Sequence, residues 1–293
     1  MIYVFLVGKQ NILDKSVEAL ACECSVNFNL LGKLQDYGHY CALYSCEDQA
    51  LENLREINLE EKYDLDIFAL KAIPNLNKPG IVVLDMDMTS VQIEGIDEIA
   101  RSLGVFDKVA AITSKAMHGG LDFATSLKER VSMLKDGSAE VISKVKEIMV
   151  ETSGLDNLMA VTAANKWARG ICSGGFVQLI EVLEQKYKLE MVCANSLEIV
   201  EGKFTGKVDR DIVDAEAKRL GVLSLMSQYN IDKSQVIVLG DGANDLKMLS
   251  EASLGIAYHA KPKVKAQAQY ALNKSDLNAV VLLLKIAAKT IYA

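Results

Sequence analysis

Three short, largely apolar runs, each followed at once by a polar cluster, constrain the fold of this 293-residue chain most strongly. The runs end at Leu84, Cys172 and Leu239, and the clusters that follow them read D-M-D-M-T, S-G-G-F and G-D-G-A-N-D. Short apolar runs separated by helical segments predict strands that are buried on both faces of a parallel sheet. Ligands bind beyond the carboxyl ends of such strands, so we expect the three clusters to meet at one edge of one sheet.

The segment between the first two runs is much longer than a simple connection between parallel strands, which needs about a dozen residues. Much of it, over about residues 95–150, has helical spacing, and we interpret it as a helical cap over the sheet edge. Residues 80–293 are therefore expected to form a domain with a Rossmann-like parallel sheet and this cap.

The N-terminal segment, residues 1–72, has a different pattern. Its strand-like and helical runs follow the order βαββαβ, which is typical of a small ferredoxin-like α+β domain. A cluster of Pro, Asn and Gly residues comes next and predicts a linker at residues 73–79. The order also resembles that of ACT domains, which pair with a second copy and often sense amino acids, so a homodimer is expected. The alternative is that residues 1–72 have only a structural role. The predicted fold class of the whole chain is α/β, preceded by this ACT-like unit.

Composition excludes several classes of function. The formal net charge of −7 argues against binding to nucleic acid, which usually requires a basic surface. The N-terminal run I-Y-V-F-L-V lacks the features of a signal peptide, and lysines interrupt the apolar C-terminal run, so no membrane partner is expected. The six cysteines include no C-x-x-C pair, and reduced thiols fit a cytoplasmic protein.

Four carboxylates in the polar clusters predict a metal site. Asp85 and Asp87 follow the first strand, and Asp241 and Asp245 follow the third. Carboxylates brought this close repel one another unless a cation or a proton lies between them. All-oxygen ligation favours Mg²⁺. Each of these residues taken alone could instead be a turn former or a helix cap.

A magnesium site of this kind suits phosphoryl transfer. Asp85 lies directly at the strand end and could attack phosphorus as the nucleophile, while Asp87 could serve as general acid and base. Ser173 and the Gly174 amide, at a predicted helix N-terminus, offer donors for phosphate oxygens. Two other interpretations are an ordinary strand-to-helix turn at S-G-G-F and a D-x-D metal anchor of a glycosyltransferase.

The motifs D-x-D-x-T, Ser173, a later lysine and G-D-G-x-N-D resemble those of the haloacid dehalogenase-like phosphatase superfamily in order and spacing. The segments Q-I-E-G-I-D-E-I-A at residues 92–100 and S-L-K-E-R-V at residues 126–131 narrow the resemblance to the phosphoserine phosphatase family. The similarity covers about residues 80–290. It implies hydrolysis of O-phospho-L-serine to L-serine and phosphate through an aspartyl phosphate, the last step of serine biosynthesis. The alternative is hydrolysis or transfer of phosphate from another small metabolite.

The resemblance implies a role for each matching residue. Asp85 would be the nucleophile and Asp87 the general acid and base. Asp85, Asp241 and the Asp87 carbonyl would bind Mg²⁺, with Asp245 close by. The residues implied in substrate binding are Ser173, Gly174, Lys218 and Asn244 for the phosphate, and Glu94, Arg130, Met117 and Phe123 for the serine portion.

The charges of phosphoserine agree with two of these assignments. Glu94 could pair with the ammonium group, and Arg130 could bind the carboxylate in bidentate fashion. Without the resemblance, both residues could equally lie on solvated surfaces. Arg219 and Lys207 likewise compete with Lys218 for the role of the phosphate-binding lysine.

Overall fold

The computed structural model describes residues 1–117 and 120–293. The N-terminal elements are β1 (Ile2–Gly8), α1 (Gln10–Glu23), β2 (Asn29–Asp36), β3 (His39–Cys46), α2 (Leu51–Leu59) and β4 (Leu65–Leu70). The four strands form an antiparallel sheet in the order β2-β3-β1-β4. This is the predicted βαββαβ arrangement.

A parallel sheet of six strands forms the centre of the second part of the chain. Its strands are β5 (Ile81–Leu84), β6 (Ala168–Phe176), β7 (Met191–Asn195), β10 (Val236–Gly240), β11 (Leu254–Tyr258) and β12 (Tyr270–Leu272). The strand order is β12-β11-β10-β5-β6-β7, so the three strands predicted from the sequence lie side by side in the middle. The helices around it are α7 (Leu155–Ala164), α8 (Val177–Tyr187), α9 (Ala215–Tyr229), α10 (Leu246–Leu249), α11 (Pro262–Gln267) and α12 (Asn278–Thr290). The predicted fold class is confirmed.

The cap lies between β5 and β6 and consists of α3 (Gly95–Ser102), α4 (Phe106–Met117), α5 (Phe123–Ser132) and α6 (Val141–Ile148). The chain enters and leaves it side by side, because Gln92 N donates to Val150 O and Thr152 N donates to Ser90 O, both at 2.9 Å. A hairpin of β8 (Leu197–Val200) and β9 (Lys203–Val208) supports the other side of the cap. Phe204 of this hairpin is buried and exchanges backbone hydrogen bonds with Asp136 and Gly137. The cap is thus held over the sheet edge from two sides.

In the N-terminal sheet, β1, β3 and β4 are largely buried on both faces. Val4 and Leu6 of β1 pack with residues of α1 and α2, whereas Phe5 and Val7 belong to the core cluster that contains α12. Side chains alternate along a strand, so a continuous apolar run requires a partner on each side. The C-terminal helix provides the second partner. Among the described residues, no helix combines the length and the apolarity needed to cross a membrane.

A buried carboxylate joins the two parts of the chain. Asp66 of β4 is fully buried and accepts the backbone N–H groups of Asn273 at 2.6 Å and of Ser275 at 2.7 Å. Close by, His39 Nε2 of β3 lies 3.0 Å from Asp276 Oδ1. Hydrogen bonds to a charged acceptor are stronger than neutral ones, so we infer a fixed contact between the two parts.

The His39–Asp276 pair predicts a pH dependence of stability. The hydrogen bond to Asp276 raises the pKa of His39 above 6.5 in the folded state. The stability that this pair contributes is therefore fully present below the unfolded pKa and is lost as the pH rises through the folded one. We expect His39→Gln to lower the free energy of unfolding by roughly 1 kcal/mol more at about pH 5.5 than at about pH 9. Denaturant titrations of both proteins at the two pH values measure this; an equal loss at both would contradict it.

Candidate active site

The carboxyl ends of β5 and β10 bring three acidic side chains together. Asp85 follows β5 and Asp241 follows β10, and the Asp85 N–H donates to Leu239 O at 2.9 Å. Carboxylate oxygens of Asp85, Asp241 and Asp245 all lie within 4.8 Å of one another. Two neighbouring parallel strands that end at the same level produce this convergence. The clusters that follow β5 and β10 thus meet at one sheet edge, as predicted.

Lys218 of α9 is the cation inside this cluster. It is fully buried, and its Nζ donates to Asp85 Oδ1 at 2.9 Å and to Asp245 Oδ1 at 2.6 Å. Burial alone would lower the pKa of this lysine, but the charges of Asp245 and Asp85 raise it, so the ammonium stays protonated. The other oxygen of Asp245 accepts the Gly242 N–H at 2.9 Å. Both Asp245 oxygens are therefore engaged, which makes this residue a support for Lys218.

Asp87 lies in a tight turn beyond the strand. The Met86 carbonyl accepts the N–H groups of Ser90 at 2.8 Å and Val91 at 3.0 Å, and Met88 adopts a left-handed conformation with φ of 55°. This turn buries Asp87 Oδ1, which has no hydrogen-bond partner among the described residues. Burial, followed by the charges of Glu94 and Asp85, raises the pKa of Asp87 well above its usual range. Its environment thus favours a protonated carboxyl group.

The S-G-G-F segment is an irregular end of β6, and the helix after it begins later than predicted. β6 continues to Phe176, with a register shift against β7 after Cys172, and α8 starts at Val177. Ser173 and Gly174 therefore precede the helix by a few residues, and the sequence-based placement at its N-terminus was wrong. The irregular strand leaves backbone groups of these residues without strand partners.

We call Ser173–Gly175 the phosphate loop, after the role that the sequence resemblance implies for it. Ser173 Oγ accepts the Gly175 N–H at 2.9 Å, and a Cβ placed on Gly175 would lie 3.1 Å from both Asp87 Oδ2 and Ser173 Oγ. The glycine therefore allows the loop to approach the Asp87 carboxyl closely. The loop therefore lies directly against Asp87 of the D-x-D motif.

The cap reaches this loop through Phe123, at the start of α5. A Cβ on Gly174 would lie 2.9 Å from Phe123 Cζ and 3.6 Å from Asn244 Nδ2. Phe123 and Asn244 thus both lie next to Gly174, and their role in substrate binding stays a prediction. Met117 ends α4, and its side chain lies outside the part of the chain that the structure describes.

Arg130 and Glu94 lie near the same site. Arg130 is half-buried; burial lowers the pKa of its guanidinium, whereas Glu94, Asp97 and Asp87 raise it. The Glu94 side chain is exposed, but neighbouring protein atoms displace enough water to raise its pKa, and the charges of Asp97 and Asp85 add to the rise. Glu94, Asp97 and Arg130 therefore lie close enough to affect one another and the two aspartates of the D-x-D motif.

The acidic cluster has the donor set of a site for a hard divalent cation. Burial, together with the charges of Asp85 and Glu94, raises the pKa of Asp241 to about 7. A cation placed among these oxygens would relieve that repulsion. Carboxylate oxygens are the ligands that Mg²⁺ prefers, so the residues present fit such an ion.

Sequence reasoning missed three residues near this site. Thr89 Oγ1 lies 3.5 Å from Asp241 Oδ1, and it belongs to the D-x-D-x-T motif that was used only for its aspartates. Asp97 acts on both Glu94 and Arg130. Lys261, beyond β11, lowers the pKa of Glu94. Recognising L-G-I-A as a strand of the same sheet would have placed Lys261 at this edge.

Comparisons with known proteins agree with this geometry. Residues 178–284 match the family model described as haloacid dehalogenase-like hydrolase. The phosphoserine phosphatase of Vibrio cholerae serotype O1 is 45% identical over 224 residues, which cover 76% of this chain and 68% of that protein. The crystal structure of a probable phosphoserine phosphatase from Vibrio cholerae, in its unliganded form, has a TM-score of 0.84 at 37% identity and covers 99% of this chain and 88% of that one. A phospho-aspartyl intermediate analogue of phosphoserine phosphatase, 34% identical, has a TM-score of 0.66 and covers 70% and 98%.

Fold and site together are those of a haloacid dehalogenase-like hydrolase. Identity of 45% across more than two thirds of both chains narrows the class further. The chain belongs to the phosphoserine phosphatase family, and the predicted resemblance is confirmed.

Proposed function

We propose that this protein is a Mg²⁺-dependent phosphatase that hydrolyses O-phospho-L-serine to L-serine and phosphate. One observation carries the mechanism: two aspartates of one turn have opposite environments. Asp85 is paired with a buried lysine, whereas the pKa of Asp87 is raised by burial and by neighbouring carboxylates. A carboxylate held by a lysine, beside a carboxyl group whose pKa is raised, suits one nucleophile and one proton donor.

Asp85 is the nucleophile in this proposal. Its Oδ1 accepts a hydrogen bond from the Lys218 ammonium, which holds its orientation, while the phosphate loop receives the substrate phosphate. Attack on phosphorus forms the Asp85 aspartyl phosphate as the bond to the serine oxygen breaks. Ser173 and the Gly174 N–H supply donors to the phosphate oxygens.

Asp87 is the general acid in the first half-reaction and the general base in the second. Its raised pKa favours the protonated carboxyl, which donates a proton to the leaving serine oxygen. The resulting carboxylate then accepts a proton from the water that hydrolyses the aspartyl phosphate. The cap, with Phe123 against Gly174, limits the entry of bulk water during the first step.

Asp85, Asp241 and the backbone carbonyl of Asp87 would hold the magnesium ion, with Asp245 behind them. When bound, Mg²⁺ supplies charge neutralisation and orientation of the phosphate. Lys218 and Asp245 keep the surrounding carboxylates in place.

In this proposal, residues on the cap side of the site bind the serine portion of the substrate. Glu94 offers a charge for the substrate ammonium, and Arg130 offers a planar donor pair for its carboxylate. The coupling among Glu94, Asp97 and Arg130 supports their action in one pocket.

The homodimer stays a prediction. β2 is an edge strand of the N-terminal sheet, and it exposes Leu30 and Leu31. Apolar residues on an unpaired edge suit pairing with a second copy of the chain. Light scattering measures the mass in solution.

A substrate panel with and without metal tests the proposed function. We expect kcat/KM for O-phospho-L-serine to exceed that for glucose 6-phosphate by about 10³-fold, because a sugar phosphate leaves Glu94 and Arg130 unpaired. Chelation of divalent ions should remove the activity, and added Mg²⁺ should restore it. A preference for the sugar phosphate, or full activity in the chelator, would contradict the proposal.

A further inference from the structure

Asn195, the last residue of β7, uses both ends of its side-chain amide beside the phosphate loop. It is 1% exposed, its Nδ2 donates to Gly174 O at 2.8 Å, and its Oδ1 accepts the Val213 N–H at 2.8 Å. A buried amide whose donor and acceptor are both satisfied is held rigidly. Asn195 therefore links two segments that are distant in the sequence.

The first of these bonds fixes one peptide group of the phosphate loop. The carbonyl of Gly174 is bound by Asn195, and the N–H of the same peptide, from Gly175, is bound by Ser173 Oγ at 2.9 Å. A peptide group is planar, so holding its two polar atoms stops its rotation. Between two glycines, this peptide would otherwise turn with little steric resistance.

This fixed orientation matters for an incoming phosphate. The Gly174 carbonyl is directed to Asn195, so its partial negative charge is engaged there. Ser173 Oγ already accepts the Gly175 N–H, and the hydroxyl hydrogen stays available as a donor. If the peptide rotated, the site would lose this arrangement and gain a carbonyl that repels the anion.

The second bond reaches the helix that carries Lys218. Val213 directly precedes Asp214, whose side chain caps α9 by accepting the N–H groups of Glu216 and Ala217, both at 2.9 Å. The Asn195 amide thus fixes the position of the phosphate loop relative to the start of α9, the helix that carries Lys218.

We propose that Asn195 is a positioning residue for phosphate binding. It acts through the Gly174–Gly175 peptide, whose orientation it holds, and through the segment that leads to Lys218. The inference rests on the proposed function only in that the phosphate loop binds the phosphate group. It does not depend on which alcohol the substrate carries.

The test replaces Asn195 with Ser, which is neutral and whose hydroxyl is too short to reach the Gly174 carbonyl. Gln178→Ser is the matched control, because the Gln178 amide also binds two backbone groups, Leu197 O at 2.9 Å and Leu197 N at 3.2 Å, at the base of the hairpin. Both variants lose an amide that bridges two backbone groups. Only the first loses the contact with the phosphate loop.

We expect Asn195→Ser to lower kcat/KM about 10²-fold for both O-phospho-L-serine and p-nitrophenyl phosphate, because small misplacements of binding groups have effects of this size. The affinity for inorganic phosphate, measured by calorimetry in Mg²⁺, should weaken by at least about tenfold. Gln178→Ser should change the two kcat/KM values and the phosphate affinity by less than about threefold, even though its Tm should fall about as much as that of Asn195→Ser.

Equal effects of the two variants, or an unchanged phosphate affinity in Asn195→Ser, would overturn the proposal. If that variant does not fold, Asn195→Asp replaces it, because the carboxylate keeps the shape and the Val213 bond but cannot donate to Gly174. Near-parental phosphate affinity in Asn195→Asp would likewise overturn it. If the parent protein hydrolyses p-nitrophenyl phosphate but not phosphoserine, the proposed substrate is rejected. The phosphate affinities and the p-nitrophenyl phosphate kinetics of the variants then still test the role of Asn195.

Discussion

Replacing Asp85 with asparagine is expected to lower kcat by at least about 10⁴-fold, since removing an enzyme's nucleophile has effects of this size or larger. The amide has nearly the shape of the carboxylate and can still accept the Lys218 ammonium at the position of Oδ1. It lacks the charged oxygen that would form the aspartyl phosphate. Turnover should fall while the fold persists, and steady-state phosphate release together with thermal unfolding measures both.

Asp107→Asn is the matched control for this substitution, since Asp107 is exposed in the first turn of α4. It should leave kcat within about twofold, because exposed side chains away from the site contribute little. Full activity in Asp85→Asn would show that another group attacks phosphorus.

The second large effect is expected at Lys218. Changing it to methionine leaves Asp85 and Asp245 buried without their cation, which should cost about 3–5 kcal/mol of stability in the absence of metal. Activity should fall by about 10³-fold, because the nucleophile loses its orienting partner and the site loses a phosphate-stabilising charge. Chemical denaturation in a chelator and kinetics in Mg²⁺ separate the two effects.

The neighbouring residue offers the control. Arg219 is the next residue on the same helix, and its ion pairs with Glu216 and Glu251 lie at the surface. Arg219→Met should change stability by less than about 1 kcal/mol and leave turnover near the parental value. Similar losses in Lys218→Met and Arg219→Met would contradict the assignment of Lys218 to the site.

This pair of basic residues also shows what the sequence could predict. The strand ends before Asp85 and Asp241 could be identified locally, since each apolar run stops where a polar cluster begins, whereas β6 continues past Ser173 to Phe176. The choice between Lys218 and Arg219 could not, because adjacent helical residues point about 100° apart and only the packing of α9 decides which is buried.

Other elements were missed for related physical reasons. β8, β9 and β12 are short and partly polar or rich in small residues, so period and composition do not distinguish them from loops. Their existence depends on partners: the hairpin pairs with the cap around Gly137, and β12 adds to β11. The importance of Asn195 depends on a carbonyl 21 residues earlier in the chain. Long-range contacts of this kind leave no periodic signal.

In the N-terminal part, the local pattern predicted a strand but not the element that packs against it. The apolar run of β1 predicted a strand, and the structure shows that this strand is buried on both faces. The second partner is α12, at the other end of the chain. A local pattern can therefore predict that a face is covered without identifying what covers it.

The central claim is that Asp85 carries the phosphoryl group during turnover. Its most direct test is acid quenching of the protein during turnover of O-phospho-L-serine in Mg²⁺, followed by peptide mass spectrometry. We predict a phosphoryl group on the peptide that contains Asp85, located at that residue and absent when the ion is chelated. Steady turnover with no phosphorylated peptide, or with the phosphoryl group on another side chain, would contradict the account.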